Sequence, residues 1–218
     1  MKHAQSDKYT IAWFKIAECV SRGEKERALG VYRLLSHSFN DNAVARQLEA
    51  DIYFSFNERG AAIPLYRQAM ELYQKSKRFL EAAAVGEHLL VLQPNDIFLI
   101  NDVVNCYKML DLPDKLIHHF NAMMAMYVVR NEWDNVQKTI DWCAHVTNPL
   151  HAYLLYKQLI IAIHSIHEKS SLTIACIEKA IDILLTHDHE DHLQDFLLLL
   201  STINEQLYDY AVMYVKKN

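Results

Sequence analysis

An all-α fold is what this sequence predicts: an α-solenoid of about eleven antiparallel helices joined by short turns. Three observations predict it. Glycine and proline number only four each in 218 residues, too few breakers for a β-rich chain with many tight turns. Apolar residues recur at three- and four-residue spacing along most of the chain. Small residues alternate with aromatics in a recurring way: Ala50, Tyr53, Ala62, Tyr66 and Ala69, then Phe79, Ala82 and Leu89 with Pro94 closing the next turn, then Met123, Met124, Tyr127, Trp133, Val136, Ile140 and Cys143. Such spacing lets neighbouring helices approach closely and interlock, and stacks of this kind hold other proteins.

The helical pattern starts near Lys8, after a frayed segment over 1–7. Ile11, Trp13, Phe14, Ile16, Ala17 and Val20 give the first helix a broad apolar face, and Gly23 suits a left-handed C-cap. Helix two runs from about Glu24 to Ser38 on Ala28, Leu29, Val31, Tyr32, Leu34 and Leu35. Asn40-Asp41-Asn42 is a turn and N-cap for helix three, which reaches about Asn57. Helix four follows Gly60, with Pro64 tolerated near its first turn. Helix five spans about Arg78 to Leu92. Gln93-Pro94-Asn95-Asp96 ends it and caps helix six, about Ile97 to Leu110. Pro113 opens helix seven, helix eight covers about Trp133 to Val146, and Asn148-Pro149 gives the N-cap and first position of helix nine. Ser170-Ser171 caps helix ten, which reaches about Thr186. Beyond His187, the residues Leu193, Phe196, Leu200, Ile203, Leu207, Tyr210 and Tyr214 keep one alternation without a breaker, so one terminal helix of about 25 residues is expected.

The spacing resembles the tetratricopeptide repeat, a unit of about 34 residues folded as two antiparallel helices. Trp13, Ile16, Ala17, Val20, Ala28 and Tyr32 look like a first unit, and Ala50, Tyr53, Ala62, Tyr66 and Ala69 like a second. Farther on, Tyr66 to Pro94, Val103 to Met123 and Phe120 to Cys143 each fit a unit in overlapping frames, so most middle helices serve as either member of a pair. The tyrosines and tryptophans in these sets are expected as core wedges. A repeat domain over 8–186 and a His/Asp-rich turn with a capping helix over 187–218 follow.

On that resemblance the chain is a noncatalytic adaptor or scaffold, and the first helix of each unit lines a concave groove that takes a peptide or helix of a partner. Candidate groove residues are Gln47, Asp51, Phe54 and Ser55 on helix three, and Asn101, Asn105 and Lys108 on helix six. The two sets have opposite parity, so strict alternation allows only one to be concave. Asn101 and Asn105, one turn apart, can clamp a peptide backbone with their amides. The carboxylate clamp of chaperone-binding members is missing, since Phe14 and Glu18 stand where it would begin. Self-association through the terminal helix, as a homodimer, is the alternative.

His187-Asp188-His189-Glu190-Asp191-His192 is the sharpest local motif. It resembles the His-x-His-x-Asp-His signature of the metallo-β-lactamase fold, whose ligands bind zinc and activate water. Against that stand a preceding Ile183-Leu184-Leu185 that reads as a helix end, few residues after the motif, and few glycine-rich turns. His187, His189 and His192, with His164 or His167, remain weak candidates for a metal-binding loop. Otherwise Asp188, Glu190 and Asp191 complement the dipole of the terminal helix.

Composition narrows the remaining classes. The formal charge is −5, from 22 basic and 27 acidic residues without a cationic cluster, which argues against nucleic-acid binding. Cys19, Cys106, Cys143 and Cys176 lie far apart and read as buried reduced thiols. The polar stretch over 1–10 offers no signal peptide. Lys157, Gln158 and His164 interrupt the most apolar run, Leu150 to Ile166, so no membrane span is expected. A cytoplasmic setting is the expectation, with no cofactor and no catalytic residue.

Overall fold

The computed structural model describes residues 3–36, 39, 41–166, 170–187 and 189–218. They form twelve α-helices and no strand. None of these helices is long and apolar enough to cross a membrane. The chain divides into two compact units, Met1–Leu110 and Asp111–Asn218. The division falls inside the stretch expected as one repeat domain.

The first unit holds α1 (His3–Ser21), α2 (Lys25–Ser36), α3 (Asn42–Ser55), α4 (Arg59–Lys75), α5 (Phe79–Leu92) and α6 (Ile97–Met109). Each packs on the next in sequence. Where helices cross, the small residues are fully covered: Ala28, Ala50, Ala62, Ala69 and Ala82 are all 0% exposed. Gly86 shows how tight the approach is. A Cβ there would strike Val103 Cγ2 on α6 and meet Met70 of α4 at 3.0 Å, so α4, α5 and α6 converge on a position that admits no side chain.

The expected caps are present. Gly23 takes φ +73° and ends α1. Asp41 accepts from the Ala43 and Val44 amides, and Asp96 from the Leu99 amide. Three details differ from expectation. The first helix begins at His3 rather than near Lys8. Trp13 is 43% exposed, not a core wedge, and Phe14 of the expected apolar face is 72% exposed, because α1 packs chiefly on α2 and its Ile16 side is the covered one. Pro64 lies a full turn inside α4. The carbonyl it leaves without a donor is that of Gly60, which is exposed and can be hydrated.

The second unit holds α7 (Pro113–Val129), α8 (Trp133–Val146), α9 (Pro149–Ile166), α10 (Ser170–Thr186), α11 (Glu190–Ile203) and α12 (Glu205–Lys217). Besides sequence neighbours, α7 packs on α9, α9 on α11, and α10 on α12. The Asn148 side chain caps α9 through the Leu150 amide, as its sequence predicts. The single long terminal helix does not exist. Asn204 is extended, at φ −162° and ψ 124°, and its side chain accepts from the Gln206 and Leu207 amides, so it stops α11 and caps α12. Tyr210 and Tyr214 of α12 then bond Glu178 and Asp182 of α10, which ties the last helix back into its own unit.

Candidate functional site

Three of the four groove candidates on α3 meet α4 and α5 in one polar cluster. The Tyr73 hydroxyl donates to Gln47 Oε1 at 2.8 Å, and the Tyr66 hydroxyl donates to Asp51 Oδ1 at 2.5 Å. Phe54 lies edge-on to Tyr66, with ring centroids 6.5 Å apart. The His88 imidazole of α5 completes the cluster, 4.9 Å from the Phe54 ring and 4.8 Å from Tyr66. Its Nε2 is buried without a hydrogen-bond partner. Ser55 is exposed and returns its hydroxyl to the Asp51 carbonyl.

The electrostatics of this cluster follow from burial. Desolvation pushes the Asp51 carboxyl above the usual range, against the pull of the Tyr66 hydroxyl and of His88. Tyr66 is raised in turn, by burial and by the carboxylate it serves, and so remains a donor. Gln47 and Asp51 therefore hold α3 to α4, and Phe54 and His88 tie α3 to α5.

Beside that cluster, α5 carries an exposed apolar edge. Leu80, Ala84 and Val91 share one face of α5, Leu80 61% and Val91 78% exposed, and the half-buried Glu87, which accepts from the Tyr107 hydroxyl, lies between Ala84 and Val91 on that face. Farther along, α6 presents Asn101, Asn105 and Lys108, all exposed. Phe98 and Met109 lie open on the same helix. The two asparagines stand one turn apart, and among the described residues no side-chain hydrogen bond joins them to another candidate.

The His/Asp-rich turn is more open. His187 and His189 have ring centroids 6.5 Å apart, and His189 and His192 are 5.7 Å apart. Tyr153 lies 6.1 Å from His192. Among the described residues no group of three His, Cys, Asp or Glu is arranged to hold a metal. His164 is exposed on α9, while His167 and Asp188 lie outside the described residues. Glu190 and Asp191 occupy the first turn of α11, where acids complement the helix dipole.

The cysteines are unpaired, with Cys106, Cys143 and Cys176 buried and Cys19 half-buried. Burial raises all three buried thiols, Cys176 to about 11, which keeps them protonated and poor as nucleophiles. No protein-family model matches the chain, and a search of curated proteins finds no match.

Sequence reasoning missed His88 and the tyrosine hydroxyls. Their partners sit on other helices, and only packing brings them together.

Proposed function

We propose that this chain is a noncatalytic adaptor, a tetratricopeptide-like α-solenoid that holds a peptide or helix of a partner protein. Support for the repeat comes from the sequence separation of its cross-helix contacts. Lys25 reaches Glu58 across 33 positions, Gln74 reaches Cys106 across 32, and Tyr210 and Tyr214 reach Glu178 and Asp182 across 32. Each contact joins a helix to the second helix along or to its cap, and with Arg67 to Asp96 across 29 and Arg78 to Asp41 across 37 the separations scatter around the roughly 34 residues of such a repeat.

The observation that carries the binding reading is the α5 edge. Leu80, Ala84 and Val91 are exposed on α5, with Ala84 one turn from His88, so apolar side chains flank Glu87 beside a cluster whose Gln47 and Asp51 are already engaged. A partner helix docks on such a face through side chains at helical spacing. No catalytic role is assigned, because the cluster's Gln47, Asp51, Tyr66 and Tyr73 are engaged in helix-to-helix bonds and the buried thiols are protonated. The proposal includes a reducing, cytoplasmic setting, in keeping with four free cysteines.

The test is selection of binding peptides from a displayed random library on the full chain, followed by titration of the selected peptides. The Leu80→Asp/Val91→Asp variant should lose at least about tenfold in affinity while its circular dichroism stays unchanged. Peptides that bind the variant as well as the parent chain contradict the placement on α5. A library that yields no binder contradicts the adaptor reading.

Self-association is the second reading, and exposed Ile11, Trp13 and Phe14 on α1 favour it. Sedimentation of a monomer at high concentration would eliminate it.

A further inference from the structure

Between α2, α3 and α4 the first unit has a cleft of about 500 Å³. It is lined by Tyr32 and Arg33 of α2, by Asn42, Arg46 and Glu49 of α3, and by Leu72 of α4. Glu49 is engaged on both sides. Its Oε2 accepts from Arg46 Nη1 at 2.8 Å and from the Tyr32 hydroxyl at 3.1 Å. Burial and Glu49 push the Tyr32 phenol up to about 12, so it stays a donor.

Arg33 has no such partner. Leu29, Gly30 and Ser36 are its neighbours one turn away on α2, so its own helix offers no carboxylate there. Among the described residues it makes no ion pair, which it shares with Arg59 of the same unit, whereas Arg22, Arg27, Arg46, Arg67 and Arg78 all do; of the two, only Arg33 lines a cleft. With two guanidiniums and one carboxylate, the cleft carries one uncompensated positive charge, in a chain whose formal net charge is −5. Asn42 adds an exposed amide at the rim.

We propose that this cleft is a carboxylate pocket, in which Arg33 and Arg46 receive an acidic side chain of a partner peptide. The inference rests on the adaptor reading and supplies the chemistry of one partner group. Guanidinium forks match a carboxylate's two oxygens, and a single carboxylate balances the free charge where a phosphate dianion would exceed it.

The experiment follows the arginine Nε–H resonances of the full chain during titration with acetyl-Glu-Gly-Glu-amide. Acetyl-Gln-Gly-Gln-amide and acetyl-phosphoserine-amide run alongside. The Glu peptide is expected to shift Arg33 and Arg46 saturably, and the Gln peptide to leave them in place. Arg33→Gln should weaken binding about tenfold, while Arg59→Gln, which removes the same charge elsewhere in the unit, changes nothing. Both arginines are exposed, and circular dichroism confirms that each variant is folded.

Equal shifts with the Gln peptide, an unchanged affinity in Arg33→Gln, or an equal loss in Arg59→Gln would overturn the pocket. Tighter binding of phosphoserine would overturn the carboxylate assignment. The outcomes separate the two readings. Library peptides that bind α5 while this titration stays flat leave the adaptor standing and remove the pocket. A positive titration with no library binder does the reverse.

Discussion

The two units solve the same packing problem but run their tyrosine ties between different helices. In α1–α6 the aromatic wedges are mostly tyrosines whose hydroxyls are tied to the neighbouring helix: Tyr32 to Glu49, Tyr66 to Asp51, Tyr73 to Gln47 and Tyr107 to Glu87. Ion pairs add to them, joining Lys25 to Glu58, Arg67 to Asp96 and Arg78 to Asp41. In α7–α12 the covered core of Phe120, Ile140, Leu155, Ile160, Ile177 and Phe196 also encloses Tyr153, His119, Thr139 and Thr173, and the tyrosine ties of the last helix skip one helix, from Tyr210 to Glu178 and from Tyr214 to Asp182. Polar ties fix which residue faces which, and they gather charge and hydrogen-bonding groups near the surface. Aliphatic packing gives stability and little chemistry. The candidate sites of the first unit are by-products of how that unit is held together.

The largest expected effect lies in the second unit. Phe120 is 0% exposed and stacks edge-on to Trp142 at 5.2 Å. Phe120→Ala should cost about 3–5 kcal/mol through lost transfer energy and the cavity left behind, read by urea unfolding. A loss below about 1 kcal/mol would mean that the second unit is loosely packed and that the comparison is false.

Next comes the convergence of α4, α5 and α6. Gly86→Ala should destabilise by about 1–3 kcal/mol, because Val103 is stiff at χ1 and cannot turn aside. Adding Val103→Ala should recover part of that loss. Additive costs in a double-mutant cycle would show that the two positions do not touch.

Tyr66→Phe probes the polar ties. It strips a donor from the half-buried Asp51 carboxylate, at a cost of about 1–2 kcal/mol near neutral pH. The pH dependence has a definite sign. Asp51 titrates above its ordinary value, so its contribution to stability is fully present below the ordinary carboxylate range and is lost as pH rises through the raised value. Without the Tyr66 hydroxyl that value rises further. The deficit of the variant should therefore be greatest at neutral pH and close in acid. A deficit independent of pH would assign the effect to packing. Asp96 behaves oppositely. Burial opposes its ionisation, but the Leu99 amide and the Arg67 guanidinium still hold its carboxyl below the usual range. Its contribution is present above that range and fades as pH falls through the lowered value, so Asp96→Asn should flatten the acid limb of the stability profile.

The smallest effect concerns backbone strain. Lys77 sits at φ 59°, a left-handed conformation that costs an ordinary side chain about 1 kcal/mol. Lys77→Gly should raise stability by a few tenths to about 1 kcal/mol, since relief of strain exceeds the added freedom of the unfolded chain. A decrease would show that the Lys77 side chain contributes more than its strain costs.

Much of the fold was legible because its cues are local. Asp41, Asp96 and Asn148 cap their helices and Gly23 ends one, as their side chains dictate. Ala50, Ala62 and Ala69 proved to be contact positions, as their alternation with aromatics suggested. The break at Asn204 was hidden because Leu200, Ile203 and Leu207 stay in phase across it. The exposure of Trp13 was hidden because a pattern does not say how many neighbours a helix has. The shortage of glycine misled too. Asn57, Lys77, Asp111 and Asn131 take the left-handed positions instead, each four residues after Tyr53, Tyr73, Tyr107 or Tyr127. That spacing is readable once its role is known. Candidate sites were less legible, because His88 meets Phe54, and Arg33 and Arg46 come to line one cleft, only after separate helices pack.

Amide hydrogen exchange on the full chain, with and without a library-selected peptide, tests the central claim most directly. The adaptor account predicts that added protection concentrates on α3 from Gln47 to Phe54 and on α5 from Leu80 to Val91, with α7–α12 unchanged. Protection confined to α11 and α12, or none anywhere at saturating peptide, would contradict it.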